Sequence, residues 1–436
     1  MKIFLRTYGC QMNEYDSELI ESILLADGFS FVDSEEGADI ILLNTCSVRD
    51  NAQRKIKGEI HEIRHRFKTT KQPIIGLLGC IASHEKEKLT QDKKFYADFF
   101  AGPDSYKKLP ELLRQAIKHL HPADFALSDI ETYDDIYPKR KPGVNAWVSI
   151  MRGCNNFCSF CVVPYTRGRE RSRSPENIIE EVKRLVAEGY PQVTLLGQNV
   201  NSYNFEGVNF TQLLSQVSKV DGLRRIRFMS PHPKDFPPDL IELIASDPKI
   251  CKHIHFPLQA GNDRILKMMN RHYTHKQFLD QVVKFRKKCP NLAITTDIIV
   301  GFPTETDEEF EDTVMVIKTV EFDAAFIFNY SVREGTLASK QYPDDVLEKE
   351  KTRRIVLLNA IQKEISLNKN QALIGTIQDV LVEQKGTSKS KEEWEARTDT
   401  NKLVILPNGK YNAGDFLQVR ITDASSYILK AVPVTS

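Results

Sequence analysis

The stretch Ala146-Trp147-Val148-Ser149-Ile150-Met151-Arg152-Gly153-Cys154-Asn155-Asn156-Phe157-Cys158-Ser159-Phe160-Cys161 runs an apolar segment into three cysteines spaced C-x3-C-x2-C. Residues 146–150 read as a strand that ends in a loop. Three thiolates within eight residues can wrap one corner of an iron–sulfur cube and leave one iron with no protein ligand. An open metal position is a catalytic arrangement, as in catalytic zinc sites. Zinc itself is the weaker reading. No His or Cys follows Cys161 closely enough to complete a local tetrahedral site.

Working outward, residues 144–370 carry six apolar strand candidates, near 146–150, 192–196, 225–229, 253–257, 293–300 and 324–330. Helix starts lie between them: Ser174-Pro175 is an N-cap with Pro at the first position, and Thr274-x-x-Gln277 and Thr306-x-x-Glu309 are capping boxes. The rhythm is that of a partial (β/α)6 barrel, whose site lies at the carboxyl ends of its strands. A helix rich in Lys and Glu, near Asp345–Asn370, closes the segment.

Residues 1–128 also alternate strand and helix, with strands at Lys2–Thr7, Ala38–Thr45 and Pro73–Gly79 and helices near Asp16–Ala26 and Ser47–Arg66. Continuous apolar runs of this kind predict a parallel, doubly wound α/β sheet. Cys10, Cys46 and Cys80 each lie just past one of these strands, where carboxyl ends converge. A single free cysteine is usually a small core residue. Three at equivalent strand ends point instead to a second metal cluster with an open position. Cys251 and Cys289 read as packed cysteines, and His232, His253 and His255 as structural histidines.

Residues 129–143 are charged and Pro-bearing and read as a linker. From 371 to 436, short strands at Gly375–Glu383, Lys402–Ile405 and Phe416–Thr422 alternate with Gly, Asn and Asp, the pattern of a small antiparallel β-barrel.

With 436 residues, and roughly 150 per domain, about three domains are expected. The net charge of +1 gives no global case for nucleic acid, and the last segment balances eight basic against eight acidic residues. Any nucleic-acid surface must therefore be local. The dense basic run Arg167-Gly168-Arg169-Glu170-Arg171-Ser172-Arg173 is one candidate. It is either a solvated loop paired with local acids or an anchor for a polynucleotide backbone beside the cluster motif. Eight cysteines are too sparse for a disulfide scaffold. No secretory signal or membrane span is read, so a reducing cytoplasm is expected.

The cluster motif, with aromatic Phe160 before its last cysteine, resembles that of radical S-adenosylmethionine (SAM) enzymes. That resemblance implies a [4Fe-4S] cluster on Cys154, Cys158 and Cys161 that binds SAM and cleaves it to a 5′-deoxyadenosyl radical. It also implies SAM contacts at Phe160 in the motif, Gln198 and Asn199 after the second strand, Ser230 after the third, and Asp297 and Gly301 in Asp297-x-Ile299-x-Gly301-x-Pro303. The whole chain resembles the methylthiotransferases, and its tRNA branch through Tyr8-Gly9-Cys10-Gln11-Met12-Asn13, Asn44-Thr45-Cys46-Ser47-Val48-Arg49, Pro164–Arg173 and Leu196–Tyr203. Ser83 and Leu337 depart from the usual Gln and Pro of that family, but neither is a cluster ligand.

The family resemblance implies an auxiliary [4Fe-4S] cluster on Cys10, Cys46 and Cys80, hence two clusters and SAM as cofactors. It implies methylthiolation of carbon 2 of N6-isopentenyladenosine immediately 3′ of the anticodon. The last domain resembles a TRAM domain, through Arg397-Thr398-Asp399-Thr400-Asn401-Lys402, and would grip the tRNA anticodon stem-loop with Arg397 and Lys402. Arg167, Arg169, Arg171 and Arg173 join them as expected RNA contacts. A donor such as flavodoxin or ferredoxin would supply electrons to a monomeric chain. The rival expectations are methylthiolation of threonylcarbamoyladenosine in tRNA, methylthiolation of a ribosomal-protein aspartate, and an iron–sulfur RNA-binding regulator without catalysis.

Overall fold

The computed structural model describes residues 1–47, 52–69, 71–85 and 97–434. Its amino-terminal part is a parallel six-stranded sheet, in the order Ser30–Phe31, Lys2–Tyr8, Ile40–Thr45, Ile74–Gly79, Phe99–Ala101, Ala123–Asp124. Alternate residues explain its layers. Ile40 and Leu42 pack under the helices Gln11–Ala26 and Leu109–Ile117, while Ile41 and Leu43 face Ile56, Ile60 and Ile63 of the helix Ala52–Arg66. Helices on both faces make this the expected doubly wound sheet. Of the helix expected from Ser47, residues 48–51 lie outside the described residues, as do Val48 and Arg49 of the motif Asn44–Arg49. The chain runs from the strand Lys2–Tyr8 to one side for Ser30–Phe31 and to the other for Ile40–Thr45. The topological switch therefore lies between the strands that end at Cys10 and Cys46.

The central part follows the six-unit reading strand for strand. Asn145–Ser149, Gln192–Leu196 and Arg225–Phe228 form one parallel sheet, and His253–His255, Ala293–Val300 and Ala324–Asn329 form another. A parallel bridge, Ile226↔Ile250, joins the halves into an open barrel. One continuous core runs from Ala146 to Leu358. The helix Glu348–Gln371 then leads to a closed five-stranded barrel: Ile377–Lys385, Trp394–Thr398, Leu403–Leu406, Phe416–Ala424 and Ile428–Pro433. Its pairings are antiparallel except Leu403–Leu406 with Ile428–Pro433, which is parallel.

Residues 129–143 carry neither helix nor strand, yet they pack tightly. Tyr133 is fully buried, stacks on Tyr106 at 5.8 Å and donates to the Pro103 carbonyl at 2.9 Å. The buried Arg140 side chain bridges Glu18 of the first helix and Glu181 of the central part. The segment straps the two parts together. Among the described residues, no helix is long and apolar enough to cross a membrane.

Candidate active site with two cysteine triads on one cavity

In the first sheet, Tyr8, Thr45 and Gly79 sit in register at the ends of three adjacent strands. Cys46 and Cys80 follow immediately, and Cys10 follows Gly9 as the residue before the helix Gln11–Ala26. The register therefore brings together three cysteines, each 34 to 36 residues from the next in sequence. Gly9 permits this crowding, because a Cβ there would lie 2.7 Å from the Cys46 Cβ. The Cys10 thiol is pulled down to about 6, first by a hydrogen bond with Cys46 and further by the Arg167 guanidinium. Burial pushes the Cys80 thiol up, against the same Arg167.

The second triad sits on a loop tied at its base. Met151–Arg152 pairs antiparallel with Arg171–Ser172, so residues 153–170 leave and return through one two-strand neck. Gly153, at φ +80°, lies so close to Arg169 that a Cβ would meet its carbonyl oxygen at 1.9 Å; only glycine fits there. The Cys154 N–H donates to the Gly168 carbonyl at 3.2 Å and the Cys161 N–H to that of Cys158 at 2.9 Å. Burial pushes the Cys154 and Cys161 thiols up to about 12.

The residues present fit iron–sulfur clusters by charge. Arg271 is buried, and its partners are Tyr273 Oη at 3.1 Å, the Pro257 carbonyl at 3.0 Å and Cys158 Sγ at 3.3 Å, none of them a carboxylate. Beside Cys80, the guanidinium groups of Arg152, Arg167 and Arg171 face two carboxylates, Asp16 and Asp104. Arg152 Nη1 and Arg167 Nη1 are buried with no oxygen or nitrogen acceptor. Each triad thus adjoins one excess buried positive charge, which an anionic cluster with its thiolates would balance. Among the described residues, no three His, Cys, Asp or Glu side chains converge tightly enough for a single ion. A cubane spreads its thiolates over separate corners and does not need that convergence.

One cysteine of each triad, Cys46 and Cys161, lines a cavity of about 580 Å³. Ile56, Phe160, Val162, Val163, Ile299 and Phe328 give it apolar walls, and Tyr8, Lys55, Gln259, Asp297 and Arg333 add polar groups. Asp297 accepts from His255 Nε2 at 3.0 Å, and His255 Nδ1 meets Thr295 Oγ1 at 3.0 Å. So Phe160 and Asp297, expected at a SAM site, do line the cavity. Gln198, Asn199, Ser230 and Gly301 are not among its lining residues. Gln198 Oε1 instead accepts the Gly153 N–H at 2.6 Å, bracing the cluster loop. Asn199 is buried against Asp235 with its Oδ1 unsatisfied, and Ser230 holds a left-handed φ of 63°. Gly301, at φ +68°, packs over Lys351 and donates to Glu305 at 2.6 Å.

The arginine run corrects the sequence reading. Arg167, Arg171 and Arg173 are buried in ion pairs with Asp16 (2.7 Å), Asp104 (2.9 Å) and Glu181 (2.7 Å). Groups buried in this way are not presented to a polynucleotide backbone. They join the first helix and the loop before 128 to the central part. Arg169 remains exposed, over the Phe157 ring at 4.3 Å. Lys402 is corrected too: its Nζ is held by Asp323 and Asn370, both at 2.9 Å, and fastens the last barrel to the central part. Arg397 is half-buried against Glu383 at 2.8 Å. Arg271, Asn270, Gln259 and Lys55 were not anticipated. Isolated polar residues such as these carry no periodic or motif signal.

The chain matches the radical SAM superfamily over residues 148–317, the family described as "Uncharacterized protein family UPF0004" over 2–102, and the TRAM domain over 371–434. It is 45% identical over 443 residues to a tRNA-2-methylthio-N(6)-dimethylallyladenosine synthase of Bacteroides fragilis, covering 100% of this chain and 96% of that one. A protein of the same name from Parabacteroides distasonis is 46% identical, covering 99% and 95%. In fold, the chain is similar to the radical S-adenosylmethionine methyltransferase TsrM of Kitasatospora setae, with TM-score 0.58 and 15% identity over 78% of this chain and 77% of that one. The cobalamin-dependent radical enzyme OxsB gives TM-score 0.52 at 12% identity, over 84% and 62%.

Proposed function

The chain belongs to the family of the tRNA-2-methylthio-N(6)-dimethylallyladenosine synthases, and from that premise we propose that it adds a methylthio group to carbon 2 of N6-isopentenyladenosine immediately 3′ of the tRNA anticodon. In this reading Cys154, Cys158 and Cys161 hold a [4Fe-4S] cluster that binds SAM, and Cys10, Cys46 and Cys80 hold an auxiliary one. When bound, these groups supply a carbon-centred radical from SAM and a sulfur that SAM methylates. Residues 1–128 carry the auxiliary site, 129–143 connect, 144–370 form the radical SAM domain and 371–436 the TRAM domain. A flavodoxin or ferredoxin supplies electrons to a monomer in the cytoplasm.

The observation that carries the reading is the shared cavity. Cys46 and Cys161 line the same space, whose volume is within the usual range of about 300–1,000 Å³ for small-ligand sites. A base flipped from a single-stranded loop would be reachable from both triads at once. Ile56, Val163, Ile299 and Phe328 suit a branched apolar substituent. Gly153, Gln198 and the neck at Met151–Arg152 hold the cluster loop in place, and Phe160 and Val162 line its cavity side. SAM contacts are assigned to Gln198, Asn199, Ser230, Asp297 and Gly301.

Nucleoside mass analysis of tRNA from a deletion strain tests the reading. Loss of the methylthio group with the isopentenyl group retained is the expected result. Unchanged tRNA contradicts it.

A further inference from the structure

Arg271 carries a full positive charge in the interior and pairs with no carboxylate among the described residues. Its Nε donates to Tyr273 Oη and its Nη2 to the Pro257 carbonyl, while Nη1 points at Cys158 Sγ, 3.3 Å away. Burying a guanidinium with no anion is costly, and neutral acceptors offset this only in part. The position is also built with care. Asn270 and His272, on either side, both adopt left-handed backbone, at φ 59° and 57°. Asn270 Nδ2 donates to the carbonyls of Asn156 and Phe157 at 3.2 and 2.9 Å, and the Ser159 N–H donates to the Met269 carbonyl at 3.0 Å. Tyr273 Oη, which receives Arg271 Nε, itself donates to the Leu258 carbonyl at 2.7 Å. One strained turn therefore clamps the loop of the second triad and aims a charge at its middle cysteine.

We propose that Arg271 is the counter-charge of the Cys154/Cys158/Cys161 centre and raises the reduction potential of the cluster held there. The inference rests on the reading above that these cysteines hold a [4Fe-4S] cluster. Reduction adds one electron, supplied by an external low-potential donor, and makes the thiolate-bound cluster more negative. A fixed cation at hydrogen-bond distance from a ligating sulfur stabilises that reduced state more than the oxidised one. Net charge and hydrogen bonds to sulfur are established levers on cluster potential. Arg271 is a positioning and tuning residue, for its guanidinium meets the ligand's sulfur and not the substrate.

The test uses the full chain with Cys10, Cys46 and Cys80 changed to Ala, so that a single centre contributes to the signal. It is loaded with iron and sulfide anaerobically and titrated with dithionite under electron paramagnetic resonance. A parent of this background that binds no iron refutes the cluster reading beneath the inference, not the inference itself. With about four irons bound, Arg271→Met is expected to shift the midpoint to a more negative potential, and Arg271→Lys to restore most of it. Loss of iron in Arg271→Met with retention in Arg271→Lys also supports the charge requirement. A parental midpoint in Arg271→Met overturns the proposal. So does equal loss of iron in both variants, since packing and not charge would then be what the site needs.

Discussion

Asp16, fully buried on the first helix, accepts from Arg152 at 2.9 Å and Arg167 at 2.7 Å, and the Tyr106 hydroxyl lies 3.3 Å away. It binds the loop of one triad to the sheet that carries the other. Asp16→Asn leaves two buried guanidinium groups short of a carboxylate and should destabilise the protein by about 3–5 kcal/mol, read from denaturant unfolding. None of this pairing was legible in the sequence. The run Arg167–Arg173 reads as a basic surface because its partners Asp16, Asp104 and Glu181 come from distant elements. The six cysteines, by contrast, were legible by spacing and by strand ends. Two histidines give a pH prediction. Burial, helped by Arg271 and Arg227, lowers His232 to about 2 and His253 to about 3, so both are neutral in the fold, whereas the unfolded chain takes up protons near 6.5. Their contribution is fully present above pH 6.5 and is lost as pH falls towards those values. The melting temperature should therefore drop between about pH 7 and pH 5, and His253→Asn should flatten that slope.

At the scale of elements, the strands read from apolar runs were found within one or two residues, because a fully buried parallel strand needs an uninterrupted apolar segment. Ser30–Phe31 and Ala123–Asp124 are too short to show a period, and Trp394–Thr398 carries Glu395 and Arg397, which disguise it. In the proposed function, the loop 153–170 is the element on which the chemistry depends. Gly153→Ala places a methyl group against the Arg169 carbonyl in a left-handed backbone. It should open the neck at a cost of about 1–3 kcal/mol and lose the second triad's iron, about half of the total, while the auxiliary iron stays. Iron analysis with circular dichroism checks this. Cys154→Ala should abolish 5′-deoxyadenosine formation with the same iron loss, measured by chromatography of the reaction.

At the scale of the molecule, the last barrel is seated at the amino-terminal ends of the central strands, opposite the triads. Arg225 and Arg227 donate to the carbonyls of Arg397, Asp379, Asp399 and Thr398, and Lys402 reaches Asp323 just before the last central strand. The helix Glu348–Gln371 spans the distance between the two ends, about 36 Å at 1.5 Å per residue. Lys351 and Arg354 near its start support Gly301 and Glu305, and Asn370 at its end donates to Ser425 of the barrel. Lys402→Ala should loosen this seat by about 1–3 kcal/mol in unfolding experiments and leave 5′-deoxyadenosine formation unchanged. The two triads, brought to one cavity by separate sheets, are the centre of the account. Mass analysis of tRNA nucleosides after anaerobic reaction with SAM, reductant and isopentenylated tRNA tests them most directly, with the parent chain beside the Cys10→Ala/Cys46→Ala/Cys80→Ala chain. Methylthio-isopentenyladenosine is expected from the parent alone, and the same product from the chain lacking the first triad would contradict a role for that triad in the reaction.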